Sequence, residues 1–468
     1  MKYLINPALL LLFTVPCLFE VLLHRQSETL RECEAALLSL QWMFILCLAV
    51  WCSALLLWTI SLNDVPLIGL VMVAIVTHIV CRTVHPATDA PNLLFGLSLG
   101  KCAFILLRRD DGRNSGAFDT RYTSLVTYLV GLVVLLAFAS LWHLDITNNF
   151  YHGPRWMGLW NNPNDYGMLM GAGMLLAVGL LAASLKSIRL RPTPARQEVQ
   201  GPKSEGKKQK AEMEKRKAVA SGQQSVVGSQ NPLRSLAAVK SAIGNWRSAI
   251  LLVAAFMMGV GLVMSYSRGA WLGTAVGLLY LVKAYGKFKW RWVLPPVLLI
   301  AAVVWFFWGS TSDKAPWFVK RADLGRPSAQ HRVVAWKAGF EIMRDHPFGV
   351  GWNKAVETYQ KKYSPPEGGA AAIATNDYLM LGTQLGIPGL ACFVAYVALC
   401  FRKCPHLTLV LSPPAGSGEG IKIACRAGTL AMLVAFWFDG GLFKLATASV
   451  FWILLELGAE RRPKAING

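Results

Sequence analysis

Apolar runs of about 17 to 25 residues recur along most of the chain, and shorter polar or charged stretches separate them. A helix needs about 20 predominantly apolar residues to cross a hydrocarbon core of about 30 Å, so each run predicts one membrane-spanning helix. The pattern therefore predicts an all-α fold, a polytopic membrane bundle of about twelve helices. The expected helices are residues 4–23, 37–60, 65–84, 91–107, 122–143, 166–186, 247–266, 269–285, 291–309, 376–401, 420–438 and 442–457.

One apolar stretch, residues 248–282, is too long for a single crossing. As one helix it would measure roughly 50 Å, well beyond the hydrocarbon core of about 30 Å. Arg268 lies inside it and is the only charged side chain between Arg247 and Lys283. An arginine at membrane depth is costly unless it is paired or lines a polar cavity. We therefore expect the chain to break next to Arg268 and to hold this cation at a membrane face, which points to an anionic ligand.

Basic residues in the connections between the apolar runs predict the orientation of the bundle. With the N-terminus inside, nearly every cytoplasmic connection carries Lys or Arg, as the positive-inside rule requires. The basic cluster within residues 283–291 would move outside if residues 248–282 crossed only once. Charge and length therefore both favour two helices that meet at Arg268.

On this topology the chain divides into five parts, namely residues 1–186 with the first six helices, 187–246, 247–309 with helices seven to nine, 310–375, and 376–468 with the last three helices and a cytoplasmic tail. The second part is basic, rich in Lys, Gln, Ser, Gly and Pro, and poor in aromatic residues, which predicts a disordered cytoplasmic loop. The fourth part contains a helix-like stretch in which Val333, Trp336, Phe340 and Met343 recur at helical spacing. It predicts a small helical cap on the periplasmic face, with its apolar side toward the membrane.

Composition supports a membrane protein and argues against other classes. The chain is 54% hydrophobic and 16% charged, below the charged fraction of about 25% that is typical of soluble domains. Its net charge of +21 is concentrated in the predicted cytoplasmic connections, so the basic excess does not indicate a nucleic-acid partner. The cysteines form no C-x-x-C pair, and no D-x-D motif or His cluster predicts a metal or another cofactor.

Polar motifs gather at three points of the predicted outer face. The segment HGPRWMGLWNNPNDYG leads into the sixth predicted helix, SRGAW lies at the predicted break, and HRVVAWKAGFEIMRDHPFGVGWN and TNDYLMLGTQLGIPG belong to the cap and to the helix after it. Together they resemble the O-antigen ligase and O-antigen polymerase family, polytopic membrane glycosyltransferases that use lipid-linked glycans. The residues that carry the resemblance are Arg155, Gly158, Pro163, Asn164, Ser267 to Trp271, Arg332, Trp336, His346, Pro347, Gly349 and Gly351.

The resemblance implies an enzyme of the bacterial inner membrane whose active face is periplasmic. Such an enzyme moves a glycan from a polyprenyl-pyrophosphate carrier, such as undecaprenyl pyrophosphate, to an acceptor hydroxyl on lipid A core, another glycan repeat or a protein, without a metal. Arginine suits this chemistry because its fork of donors binds phosphate oxygens and stabilises charge on a leaving pyrophosphate. The implied catalytic residues are Arg268, Arg332, Asn376 and Asp377, and the implied substrate-binding residues are Arg155, Asn164, Tyr266, Trp336 and His346.

The last motif departs from the family pattern at two positions. Thr375 stands where the family has a histidine that is thought to help activate the acceptor hydroxyl, and Gln384 stands where it has a glutamate. A general base must reach the proton that it removes, so Asp377 is the nearest candidate, with His346 and His331 behind it. The departure leaves the identity of the base open.

Each of these residues also has a structural interpretation. Arg155 and Arg268 can anchor the chain at the membrane surface, and Arg332 can simply face water on an amphipathic helix. His346 can precede the proline that ends a helix, and Asn376 can cap a helix. At the level of function, the alternatives are a twelve-helix secondary transporter or flippase and a non-catalytic member of the family. The transporter finds no support in an internal repeat between the two halves of the chain.

Overall fold

A computed structural model of the 468-residue chain describes most of its apolar segments. The residues that it describes are 7–8, 10–11, 14–15, 64–81, 89–108, 115–141, 155–160, 162–189, 232–285, 327–364, 372–402 and 417–459. Within this part of the chain the secondary structure is helical and contains no strand, which confirms the all-α prediction there.

The helices follow the predicted order along the chain. They are α1 (Val65–Val80), α2 (Asp89–Arg108), α3 (Ser115–Leu141), α4 (Pro163–Arg189), α5 (Pro232–Met264), α6 (Arg268–Tyr285), α7 (Pro327–Asp345), α8 (Ala355–Thr358), α9 (Asp377–Arg402), α10 (Ser417–Ala435) and α11 (Leu445–Gly458). A π-helical turn over Tyr359–Tyr363 follows α8, and a 3₁₀ turn over Ala372–Thr375 precedes α9.

Within the described residues, 5 helices are long and apolar enough to cross a membrane, and they lie in α2, α3, α4, α5 and α9. The helices α1 and α11 are apolar but shorter. These segments make the chain an integral membrane protein. The predicted helices 37–60 and 291–309, and most of 4–23, lie outside the described residues. The total of about twelve helices and the periplasmic orientation therefore stay predictions.

The predicted break next to Arg268 is confirmed, because α5 ends at Met264 and α6 begins at Arg268. The chain turns through Tyr266, whose φ of 51° lies in the left-handed region. Ser267 then caps α6, since its hydroxyl accepts a hydrogen bond from the backbone N–H of Ala270 at 3.2 Å. The 248–282 stretch is thus two helices with a polar turn between them.

The start of α5 differs from the prediction. Residues 232–246 were expected to belong to the disordered loop, yet they form the first turns of α5. The reason lies in the local sequence, where Pro232 occupies the first helical turn and Ala, Leu, Lys and Arg follow it. The remainder of the predicted loop, residues 190–231, lies outside the described residues.

Glycines let the central helices of the bundle approach one another closely. A Cβ added to Gly179 of α4 would lie 2.5 Å from the Cβ of Ala424 in α10, and one added to Gly273 of α6 would lie 2.1 Å from the carbonyl oxygen of Ala431. Close contact through small residues is the usual way in which helices pack inside a membrane. The helices α4, α6 and α10 therefore form one tightly packed unit.

The helix α7 lies along the first half of α9 and buries a face of small and aliphatic side chains there. Ala335, Ala338 and Ile342 are buried against the bundle, whereas Val333 and Phe340 are exposed. Small side chains win at this contact because α9 comes very close, so that a Cβ added to Gly339 would lie 3.2 Å from the Leu379 side chain. The exposed Val333 and Phe340 are free to face a membrane, so the predicted orientation of the cap stays a prediction.

A glycine-rich turn after α7 packs against α9 at Gly386, where the backbone of α9 is not helical. Gly349, Gly351 and Gly386 all have a positive φ, of 88°, 101° and 73°. Gly351 donates its backbone N–H to the Gln384 carbonyl at 3.1 Å, and Ile387 donates to the Pro347 carbonyl at 2.8 Å. The turn thus connects α7 to α9 through backbone hydrogen bonds, and its positive φ angles suit glycine.

A group of buried polar and charged side chains links the start of α1 to α2, α9 and α11. The Lys101 ammonium lies 2.8 Å from Asp64 Oδ1, 2.9 Å from Glu456 Oε1 and 2.6 Å from the Tyr396 hydroxyl. The Tyr396 hydroxyl in turn donates a hydrogen bond to Glu456. Lys101 lies roughly 18 Å along α2 from Asp89. We call these four side chains the Lys101 cluster.

Candidate functional site

Four helices begin at the same end of the bundle. Asp377, the first residue of α9, accepts hydrogen bonds from the backbone N–H groups of Gly441 at 2.7 Å and Leu442 at 2.8 Å, just before α11 begins. Lys444, which directly precedes α11, contacts Asp165 in the first turn of α4. The start of α6 joins them through the contacts described next. Since a helix N-terminus carries about half a positive charge, this convergence favours anions.

Asp439 lies at the centre of this end, in the short connection between α10 and α11. Its side chain is only 4% exposed. The Ser267 hydroxyl donates a hydrogen bond to Asp439 Oδ2 at 2.7 Å. Arg332 Nη2 lies 3.5 Å from Asp439 Oδ1. A Cβ at Gly269 would lie 2.4 Å from Asp439 Oδ2, so glycine is required beside this carboxylate. Asp439 thus joins three segments that are far apart in the sequence.

Arg332 projects from the first half of α7 and remains 32% exposed. Among the residues that the structure describes, Asp439 is its only polar side-chain partner, at the loose distance of 3.5 Å. A guanidinium has five N–H donors, so the described residues leave most of these donors unengaged. Arg268 is the first residue of α6 and directly follows Ser267, the partner of Asp439. Arg332 therefore contacts Asp439 directly, whereas Arg268 is adjacent to it only through its chain neighbour Ser267.

A second ion pair lies beside the first. Lys444 Nζ lies 3.0 Å from Oδ1 and 2.8 Å from Oδ2 of Asp165. Asp165 is buried, whereas the Lys444 side chain is 43% exposed. The Asp165 and Asp439 carboxylates are close enough for their charges to interact. The end of the bundle thus presents two partly exposed cations, each held by a buried carboxylate.

Arg155 and Asn164 form hydrogen bonds within the protein, close to the start of α4 and the α5–α6 turn. The buried Arg155 donates from Nε to the Ser265 carbonyl at 2.9 Å and from Nη2 to Asn164 Oδ1 at 2.8 Å. Asn162 caps α4, since its Oδ1 accepts the backbone N–H of Asn164 at 2.9 Å. These bonds tie the start of α4 to the turn between α5 and α6. They give Arg155 and Asn164 a structural role here, and the predicted part of both residues in substrate binding stays a prediction.

Asn376 and Asp377 are both buried and both bound to backbone groups. Asn376 Oδ1 accepts the backbone N–H groups of Tyr378 and Leu379, each at 3.1 Å, so Asn376 caps α9. Asp377 holds the Gly441 end of the connection that carries Asp439. This geometry favours positioning roles for both residues.

The remaining predicted residues lie at different distances from Asp439. Tyr266 is in the α5–α6 turn, one residue before Ser267. Trp336 lies about one turn beyond Arg332 on α7. His346 lies about four turns, or roughly 21 Å, farther along the helix axis than Arg332, so the structure does not bring it to Asp439. The carbonyl of His346 accepts the Gly349 N–H at 2.9 Å, within the structural turn.

Sequence reasoning missed Asp165, Asp439 and Lys444. Asp439 sits in FWFDGG, which was interpreted only as a short connection between two apolar helices. Asp439 is the only charged residue between the two predicted helices 420–438 and 442–457, and the sequence contains no further sign of its role. Its partner Arg332 lies far earlier in the chain, so the pairing itself was not predictable.

Gln384, the second departure from the family pattern, has a defined structural role. Its Nε2 donates a hydrogen bond to Asp89 Oδ2 at 2.7 Å, and its Oε1 accepts the Asn353 N–H at 3.3 Å. A glutamate at this position would lack the donor and would place a second carboxylate against Asp89. Gln384 is therefore matched to Asp89 in this chain.

We expect Gln384→Glu to lower the free energy of unfolding by about 2 kcal/mol or more, because two buried carboxylates would share one contact. The double variant Asp89→Asn/Gln384→Glu should recover most of this loss, since the new amide would donate to the new carboxylate. The measurement is thermal unfolding of the detergent-solubilised protein, with Asp89→Asn alone as the control. Equal stability of Gln384→Glu and the wild type, or no recovery in the double variant, would contradict the matched pair.

Comparison with known proteins identifies part of the chain. The O-antigen ligase family pattern matches residues 253–394, which contain the end of α5, all of α6 to α8 and most of α9. The matched region includes Arg268, Arg332 and Asp377 but not Arg155 or Asp439. No curated protein matches the chain.

Proposed function

We propose that the protein is a membrane glycosyltransferase that moves a glycan from a polyprenyl pyrophosphate to an acceptor hydroxyl, because residues 253–394 match the O-antigen ligase family. The reaction takes place at the periplasmic face of the inner membrane. The acceptor is lipid A core, a growing glycan or a protein. The observation that carries the proposal is the contact of Arg332 with Asp439 beside Ser267 and Arg268, where four helices begin.

Arg332 and Arg268 bind the pyrophosphate of the donor. A guanidinium fork suits phosphate oxygens and keeps its charge at any working pH. The long 3.5 Å contact between Arg332 and Asp439 supports this role. An arginine in a closer ion pair would lose more interaction energy when it left the carboxylate for a ligand. The four helix N-termini add positive potential where the leaving group gains negative charge.

Asp439 takes the role that the family gives to the histidine at the Thr375 position. Once Arg332 turns to the pyrophosphate, Asp439 is free to accept the proton of the acceptor hydroxyl. The acceptor oxygen forms a bond to the anomeric carbon of the donor sugar as the bond from that carbon to the pyrophosphate oxygen breaks. The proton passes to Asp439, and polyprenyl pyrophosphate leaves with the electron pair.

Several buried residues position these groups without touching the substrate. Asp377 fixes the connection that carries Asp439, and Ser267 holds the Asp439 carboxylate by a 2.7 Å hydrogen bond. Arg155 and Asn164 hold the turn from which Arg268 projects. Such support matters because a displacement of about 1 Å can cost a hundredfold in rate.

The surface polysaccharide of a deletion strain tests this function. Loss of the enzyme should leave free lipid A core if it is a ligase, or single repeats if it is a polymerase. In complemented cells, Arg332→Lys should reduce glycan transfer about tenfold, because lysine keeps the charge but loses the fork. The matched control is Arg344→Lys on the same helix, where the side chain is 77% exposed and far from Asp439. Unchanged polysaccharide in the deletion strain, or equal effects of the two substitutions, would contradict the proposal.

A further inference from the structure

Three aromatic rings form a continuous surface next to the Arg332–Asp439 pair. The ring centroid of Trp437 lies 5.7 Å from that of Trp336 and 5.6 Å from that of Tyr378. Trp437 remains 36% exposed, in the connection between α10 and α11. We call Trp336, Tyr378 and Trp437 the aromatic ledge.

Contacts within the protein fix the rings of Tyr378 and Trp336, which Trp437 packs against. The Tyr378 hydroxyl donates a hydrogen bond to the Leu433 carbonyl at 2.7 Å, which fixes the ring at the start of α9. The indole N–H of Trp336 is buried, and its ring also packs against Phe438 at 6.3 Å. Trp437 therefore rests on two fixed rings and presents an exposed indole in a defined orientation.

The position of the ledge matches a ligand that extends from the charged pair. Trp336 follows Arg332 by about one helical turn, roughly 6 Å along α7. Trp437 precedes Asp439 by two residues in the same short connection. The distance of roughly 6 Å between Arg332 and Trp336 along α7 is comparable to the distance between a phosphate and the sugar ring bonded to it.

We propose that the aromatic ledge binds the sugar ring attached directly to the pyrophosphate of the lipid-linked donor. A sugar ring has an apolar face of C–H groups and a rim of hydroxyls, so it packs against an indole while its hydroxyls stay hydrated. The assignment rests on the proposed function, since it requires the pyrophosphate to lie at Arg332. It adds a specificity element at Trp437, which lies outside the matched residues.

Two purified lipids separate this role from the aromatic belt that many membrane proteins place at the interface. The first probe is polyprenyl diphosphate, and the second is the same lipid carrying one N-acetylglucosamine. Each is titrated against the full chain in lipid nanodiscs. The variants are Trp437→Leu, Arg332→Ala and the control Trp246→Leu, which removes a 56% exposed indole near the opposite end of the bundle.

We expect Trp437→Leu to weaken binding of the sugar-bearing lipid about fivefold to tenfold more than binding of the bare lipid. Trp246→Leu should leave both affinities unchanged, and Arg332→Ala should weaken both. Equal effects of Trp437→Leu on the two lipids, or no effect on either, would overturn the sugar site while leaving the proposed function intact. Failure of the wild type to bind either lipid would instead count against the proposed function.

Discussion

Replacing Asp439 by asparagine should reduce glycan transfer by at least about a hundredfold, which is the contribution expected of a general base. The substitution keeps the shape of the side chain and an oxygen that can accept the Ser267 hydroxyl. It removes the negative charge and the site that receives the proton. The measurement is the single-turnover rate of transfer by purified enzyme.

Binding separates this catalytic role from a structural one. The Asp439 carboxylate competes with the ligand for Arg332, so Asp439→Asn should bind polyprenyl diphosphate as tightly as the wild type or more tightly. Ser267→Ala is the companion variant, because it removes one hydrogen bond to the carboxylate together with the cap of α6 and should cost only about tenfold in rate. Loss of binding together with rate would show that Asp439 only holds the fold, and an unaffected rate would exclude it as the base.

Replacing Lys101 by methionine should produce the largest loss of stability, about 3 to 5 kcal/mol. The substitution leaves Asp64 and Glu456 buried without the ammonium that contacts both of them. Thermal unfolding in detergent and the amount of protein that accumulates in the membrane measure the effect. The control is Lys337→Met, which changes an exposed lysine on α7.

Neutralising Asp64 and Glu456, which lose the ammonium in Lys101→Met, should restore much of the lost stability. In Lys101→Met/Asp64→Asn/Glu456→Gln, neutral side chains replace the two carboxylates, and neutral buried groups cost far less than unpaired charges. The protein that remains folded should keep its rate of transfer, because Glu456 of the Lys101 cluster lies roughly 18 Å along α11 from Lys444, at the candidate site. If Lys101→Met were as stable as Lys337→Met, the Lys101 cluster would have no role in holding α1, α2, α9 and α11 together.

The features that the sequence predicted correctly are those that depend on length and local charge. The break at Arg268 followed from a stretch too long for one crossing. The all-α class followed from repeated apolar runs. The start of α5 at Pro232 was missed because polar composition was given more weight than local helix propensity.

The centre of the site could not be predicted because it depends on contacts between distant segments. Asp377 was expected to be a base from its place in a motif, yet its side chain holds Gly441 and Leu442. Asp439 and Lys444 lie in the short connection between α10 and α11, and the sequence does not indicate which distant residues pair with them. Their importance follows only from Arg332 and Asp165, which the fold brings to them.

The most direct test of the central claim is glycan transfer by the purified protein in lipid vesicles. The assay contains a fluorescent polyprenyl-diphosphate glycan, an acceptor glycan and a metal chelator. The account predicts that the wild type and Arg344→Ala join the two glycans and release polyprenyl diphosphate, whereas Arg332→Ala and Arg268→Ala do neither. Transport of the lipid-linked glycan across the membrane without any new glycosidic bond, or transfer that persists in both arginine variants, would contradict it.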